Sequence, residues 1–327
     1  MNKIFFTAWV VFLLLCLTNC GHKKGITVKV DHFSNGKAGE VLLVIDKDLW
    51  DEQDLASIRA PLIAPQPGLN QVEPMFDLLV LNNRDFTSQF QRHRGIVRFD
   101  MDKNYGSNSL TLAHDTWANP QVYVYAKGNH PDSLIALYQK HQKEIITELY
   151  NNDLKRLQRN AIAHENPVVE QLIETKFGIR LSIPREYVVA REDSNFLWLR
   201  FRTIKNDRFV MIYRTTSSSL CADSVLLCRD RMTRAYIPGA VNGAYPILSR
   251  HDGFPIVYED TLGYKTGLSA RGLWESVNDK MGGPFYSFTF IDASRQKTLS
   301  VDGFVYAPQE NKRDYLREVE SIVKSIK

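Results

Sequence analysis

The apolar positions of this chain change period several times, and each change marks an element. Residues 4–17 form an almost unbroken apolar run behind one basic residue, Lys3. The run is shorter than the roughly 20 residues a helix needs to span a bilayer, and it suits the hydrophobic part of a cleaved leader. Residues 21–38 are rich in Gly, Lys, Asn and Ser and read as a tether, although 26–30 alternate as an edge strand would. Beyond them, 41–45 and 78–81 are short continuous apolar runs, as expected of strands buried on both faces. Three more strands are predicted over 96–99, 110–113 and 122–125. A helix is predicted over 51–63, ended by Pro65 and Pro67, and Phe86 and Phe90 mark a short one. A long helix begins near Pro131, where Leu134, Tyr138, Ile145, Leu149, Leu154 and Leu157 keep the helical period. This alternation predicts an α/β layer over residues 39–163.

A second unit is predicted over 164–327. Asn166 reads as a helix N-cap, Pro167 as the first helical residue and Gly178 as the stop. Ile179, Leu181 and Ile183 then alternate as in a strand before Pro184, and the stretch 177–189 resembles the start of PsbP-like domains. Further strands fit 196–203, 209–213, 256–259, 264–270, 285–291 and 299–306, with a helix over 223–236. A last helix starts near Lys312, with Leu316, Val319, Val323 and Ile326 on one stripe. Consecutive strands flanked by helices predict a mainly antiparallel sheet, which makes the whole chain α+β.

The composition is that of a globular protein: 327 residues, 44% hydrophobic and 24% charged, with 17 Phe, 14 Tyr and 5 Trp to build cores. The formal charge of +4 is spread along the chain, one unit of it in the leader. That argues against a nucleic-acid partner, which calls for a concentrated basic face.

The leader ends in Leu17-Thr18-Asn19-Cys20-Gly21, which resembles a lipobox, with Asn19 where Gly, Ala or Ser is usual. The expectation is a signal peptide over 1–19, cleavage before Cys20, and a diacylglycerol thioether on its sulfur. Two or more acyl chains anchor stably where one does not. Gly21 is not the aspartate that retains some lipoproteins at the inner membrane, and no acidic cluster follows. The expected location is therefore the outer membrane, facing the periplasm, with the 20–38 segment as tether. Cys221 and Cys228 remain in an oxidising compartment. On one helix they would lie about 10 Å apart, too far to bridge. If Cys221 precedes a helix starting at Asp223 and Ser224, a disulfide is open to them; two small buried thiols are the other reading.

Catalytic strings are scarce. There is no Gly-x-Ser-x-Gly, no His-Glu-x-x-His and no Cys-x-x-Cys, and the eight histidines are scattered, so neither cofactor nor zinc is expected. Ser-x-x-Lys occurs at Ser34 and Ser321, but Lys265-Thr-Gly267 precedes Ser276-Val-Asn278, the reverse of the order in penicillin-recognising enzymes. Asp100, Asp102 and Asn104 alternate oxygen ligands as calcium requires, but Tyr105 and Thr111 stand where an EF-hand needs Gly and Glu. Three stretches are candidates for binding. Arg271, Trp274 and Glu275, followed by the turn residues Gly282 and Gly283, combine a cation, a carboxylate and an indole. In a strand, 271 and 275 share a face and 274 points to the other. The alternative reading is a core indole beside a structural ion pair. Gln71 and Glu73, and Trp117 with Gln121, carry the same two readings.

Several of these pieces also carry a resemblance. Gly36-Lys-Ala-Gly-Glu-Val-Leu-Leu-Val44, Pro67-Gly-Leu-Asn-Gln-Val-Glu-Pro-Met-Phe76, Trp117-Ala-Asn-Pro-Gln121, Ile237-Pro-Gly239, Arg271-Gly-Leu-Trp-Glu275, Met281-Gly-Gly-Pro-Phe285 and Asp302-Gly-Phe-Val-Tyr-Ala-Pro308 followed by Lys312-Arg313 are similar to a family of uncharacterised bacterial lipoproteins. The resemblance implies an anchored envelope protein and transfers no catalytic residue. The function expected is non-enzymatic binding or assembly, with a membrane contact through the lipid and an envelope protein or cell-wall partner. The alternative is an envelope hydrolase with a site scattered in sequence.

Overall fold

The computed structural model describes residues 32–251 and 255–327, which form one compact unit. The leader, Cys20 and most of the tether lie outside the described residues. Among those described, no helix is long and apolar enough to cross a membrane.

The first half is a five-stranded mixed sheet. Strands β1 (Glu40–Val44), β2 (Asp77–Leu81), β3 (Gly95–Met101) and β5 (Val122–Gly128) run parallel, and β4 (Ser109–His114) closes one edge antiparallel to β5. The continuous apolar run of β1 follows from its place second in the order β2-β1-β3-β5-β4, covered on both sides. Val41 and Leu43 face helices α1 (Glu52–Arg59) and α3 (Pro131–Ala163), while Leu42 and Val44 face Phe86, Phe90, Trp117 and Tyr123. Phe90 lies on the short helix α2 (Ser88–Gln91). The Asp51 carboxylate caps α1 by accepting from the Asp54 amide at 2.7 Å.

The second half is an eight-stranded antiparallel sheet. It holds β6 (Val188–Asp193), β7 (Phe196–Arg202), β8 (Asp207–Arg214), β10 (Ile256–Leu262), β11 (Lys265–Val277), β12 (Gly282–Asp292) and β13 (Lys297–Tyr306) in the order β10-β11-β12-β13-β8-β7-β6, and β9 (Tyr245–Leu248) pairs with the far end of β11. Helices α4 (Pro167–Phe177) and α6 (Arg313–Val323) pack on one face, and α5 (Ala222–Tyr236) on the other. Strands β8, β12 and β13 are buried on both faces as a result. The α4 signals act as their chemistry requires. The Asn166 side chain accepts from the Val169 amide, and Gly178 takes the left-handed conformation at φ 71°.

Three expectations about elements need correction. Strand β2 is not buried on both faces: it is an edge of the first sheet, none of its residues is fully buried and Leu79 is exposed. Residues 179–183 do bury Ile179, Leu181 and Ile183 alternately, but they join no ladder. Their backbone bonds go to scattered partners: Arg180 exchanges a pair with Lys327, the Ser182 amide donates to Ser325 Oγ, and Ile183 donates to Glu170 Oε1 and accepts from the Asn166 amide. Gly282 and Gly283 are not turn residues. Strand β11 continues to Val277, and the two glycines pair in register with Glu275 and Trp274. A Cβ on Gly283 would sit 2.0 Å from the Val305 carbonyl oxygen, so the position must be bare for three strands to stay paired. Of the two readings left open for the cysteines, the structure shows no bridge. Cys221 is the exposed N-cap of α5, Cys228 lies along the same helix, and both thiols are free.

One charged pair lies wholly inside the second half. Arg229 on α5 donates to both Asp302 oxygens on β13, at 2.7 and 3.3 Å, and its guanidinium lies 4.2 Å from the centre of the Phe285 ring. Burial pushes the Asp302 carboxyl up, against the pull of Arg229. Removing one partner of such a pair strands a charge, whereas replacing both can be nearly neutral. We expect Arg229→Ala to lose about 3–5 kcal/mol in urea unfolding. The double variant Arg229→Met with Asp302→Leu should recover most of that loss.

Candidate binding cleft

Helix α6 joins the two halves, and its Arg313, Arg317, Glu320 and Ser321 are buried along with its apolar residues. Leu316, Val319 and Val323 enter the core of the second sheet. Arg317 and Glu320 point into the first half and its surroundings. Arg317 donates to Asp153 on α3 at 2.8 Å, to Gln66 Oε1 at 3.0 Å and to the Met75 carbonyl at 2.5 Å. Asp153 also accepts from Arg94 at 3.0 Å and from the Gly39 amide at 2.8 Å. Glu320 is fully buried and takes Arg271 at 2.5 Å, the Tyr150 hydroxyl from α3, and Lys324 at 3.2 Å. Burial alone would raise the Glu320 pKa. The charges of Arg271 and Lys324, with the bonds from Tyr150 and Arg271, hold it below the usual range.

The loop from Gln66 to Met75 reaches the start of α6. It is pinched by the Gln66 amide donating to the Glu73 carbonyl at 2.8 Å and by the Met75 amide donating to Ala64 at 2.8 Å. Gly68 sits at φ 84°, where a Cβ would lie 2.6 Å from Arg271 Cγ. The Glu73 carboxylate, buried at the loop's far side, accepts from the Lys312 amide at 2.7 Å and the Arg313 amide at 2.9 Å. A carboxylate from the first half thus caps the last helix of the second. Gln71 completes the contact: its amide donates to Glu73 at 2.8 Å, and its carbonyl accepts from Lys312 Nζ at 2.8 Å.

Where this loop meets the β11–β12 hairpin there is an open cleft of about 480 Å³. Gln71, Trp274, Glu275, Lys280, Met281 and Lys312 line it, with Ser249 and Tyr306. Of the six residues read as binding candidates, the structure brings Gln71, Trp274 and Glu275 to this one place. Arg271 and Glu73 lie in the supporting shell instead, one bound to Glu320 and the other to the α6 amides. Trp117 is elsewhere, packed against Phe86 and Tyr123 beneath the first sheet. Its neighbour Gln121 is buried and ties the loop by donating to the Gln91 and His93 carbonyls. The suggested Arg271–Glu275 pair does not form. Trp274 is core as well as wall, since it donates to the Val305 carbonyl at 3.1 Å and meets Phe304 edge to face. Sequence reasoning missed Lys280 and Lys312. Lys312 was visible as a residue at a helix start and in the Lys312-Arg313 piece of the resemblance, with nothing to mark it as a binding residue.

The calcium candidate does not assemble. Asp100 accepts from the Tyr125 and Tyr105 hydroxyls at 2.7 and 3.1 Å, and Asp102 binds the amide and side chain of Asn104. No group of three or more His, Cys, Asp or Glu among the described residues is placed to hold a metal.

Comparison with known proteins gives families without functions. Residues 34–161 match a domain of unknown function (DUF8532), and residues 166–325 match another (DUF4837). The expected likeness to uncharacterised proteins holds in this form, as two families rather than one. The break between them falls where α3 ends and α4 begins. No curated protein matches the chain. Among solved structures, the Ran-binding protein Mog1p of Saccharomyces cerevisiae is similar at 8% identity, over 46% of this chain and 91% of that one. Its TM-score of 0.30 carries no inference.

Two outcomes test the support of the cleft. Glu73→Ala should cost about 1 kcal/mol, in the range of lost helix caps, and should raise amide hydrogen exchange at the start of α6. Glu320 has a depressed pKa in the fold, so its contribution is present above the ordinary glutamate range and is lost as pH falls through its folded value. The stability gap between the natural protein and Glu320→Gln, measured by urea unfolding, should therefore be widest at neutral pH and close on acidification.

Proposed function

We propose that this chain is a cell-envelope lipoprotein that binds rather than catalyses, with the cleft between the Gln71 loop and the β11–β12 hairpin as its binding site. It is held by lipid on Cys20 at the periplasmic side of the outer membrane. The observation that carries the binding site is the convergence of Gln71, Trp274 and Glu275 from distant parts of the chain with Lys280 and Lys312. Polar ends around an indole and a thioether are the make-up of a recognition site. The described lining holds one hydroxyl nucleophile of the serine type, Ser249, and no histidine to activate it. The lipobox-like stretch at Cys20 supports the anchor.

A photo-crosslinking residue at Lys280, at the lip of the cleft, tests the site in native membranes. A control at the exposed Asp132 on α3 should give no adduct. We expect one adduct of defined mass from position 280 alone. Equal labelling from both positions, or turnover of a cell-wall fragment by the purified protein, would overturn the reading. For the anchor, Cys20→Ala should move the protein out of the membrane fraction and abolish lipid labelling.

A further inference from the structure

Lys312 stands out among the charges of the cleft. The residue is only 5% exposed, yet it lines the opening. Its ammonium donates to Gln71 Oε1 at 2.8 Å and to the Glu310 carbonyl at 3.0 Å. An ammonium has three N–H bonds, so one is left. Among the described residues no carboxylate lies within ion-pair distance of it. The carboxylate close by, Glu73, has both oxygens committed to the α6 amides and to Gln71. Burial lowers the Lys312 pKa, with Glu73 opposing in part. A buried cation without a direct ion-pair partner is costly, and an anion arriving in the cleft would remove part of that cost.

The other lining charges narrow the class of anion. Lys280 at the lip and Glu275 on the wall make no ion pair among the described residues. Lys280 favours the approach of negative charge. Glu275 penalises a dianion such as phosphate and offers an acceptor to a cationic group. Trp274, Met281 and Tyr306 supply apolar surface between these polar points.

Resting on the reading of this cleft as the binding site, we propose that Lys312 is its anion-binding point and that the ligand is a short peptide or amino-acid-like zwitterion. Its free carboxylate meets Lys312 and its amino group meets Glu275. The charge-assisted bond at Lys312 is worth about tenfold or more in affinity.

Calorimetry on the full-length lipidated protein in detergent tests this with trialanine, trialanine amide, N-acetyl-trialanine and inorganic phosphate. Trialanine should bind in the millimolar range or tighter, and the amide about tenfold more weakly. Phosphate should bind more weakly than trialanine. Lys312→Met should erase the difference between acid and amide. Glu275→Gln should weaken trialanine and leave N-acetyl-trialanine unchanged. Binding of N-acetyl-trialanine, which has no amine to titrate, should fade as pH rises through the lowered Lys312 pKa. Equal binding of acid and amide, tightest binding of phosphate, or no binding of any carboxylate probe would overturn the proposal. If Lys312→Met fails to fold, the acid–amide comparison on the natural protein decides alone. Continued crosslinking from position 280 alongside a failed acid–amide difference removes only the carboxylate assignment. Loss of that crosslink removes the cleft reading itself.

Discussion

The cost of burying charge shapes this protein more than any single apolar contact. Arg317, Asp153, Arg94, Glu320 and Arg271 are all withdrawn from water at the junction of the two halves, and each is neutralised by a group from another element. Such an arrangement tolerates no half-measures, because a stranded ion costs more than its pair returns. The helix Arg313–Val323 can therefore sit only where Asp153, Tyr150 and Arg271 meet it together. That placement brings the Gln66–Met75 loop against the β11–β12 hairpin and so makes the cleft.

Two of the buried acids show how environment shifts a pKa. Glu320 has Arg271, Lys324 and the Tyr150 hydroxyl around it, and its pKa falls despite complete burial. Asp302 has Arg229 as its cation, and burial prevails. Number of donors, rather than depth, separates them. The Glu73 carboxylate adds a third solution, an acid spent on the open amides of a helix start.

Much of the framework was legible in the sequence, and the places where it was not are informative. The apolar run of β1 and the Asn166-Pro167…Gly178 punctuation translate directly, whereas the equally apolar run of β2 forms an edge strand that leaves Leu79 exposed. The leucine and valine stripe of the last helix predicted one buried face. Its opposite face, Arg313, Arg317 and Glu320, reads as solvated and is buried, because its partners lie some 160 to 240 residues away. The same cause hid the second half of β11. The predicted strand stops at residue 270, and Arg271 and Glu275 find their places in its continuation only through Glu320 and the cleft. Gly282 and Gly283 suggested a turn, whereas the close approach of Val305 is what excludes a side chain. Of the site, Gln71, Trp274 and Glu275 were within reach as polar and indole side chains beside glycine and proline. Lys312 was not, since its lack of a direct ion-pair partner is a property of the folded surroundings.

If the charged junction binds the halves into one unit, their opening must be coupled. Hydrogen exchange followed by mass spectrometry on Arg317→Ala measures this directly. We expect protection to fall together in peptides from β1–β3 and from β12–β13, by a common increment in opening free energy. A fall confined to the last helix, with both sheets as protected as before, would contradict the coupling and leave the cleft as a chance meeting of two independent parts.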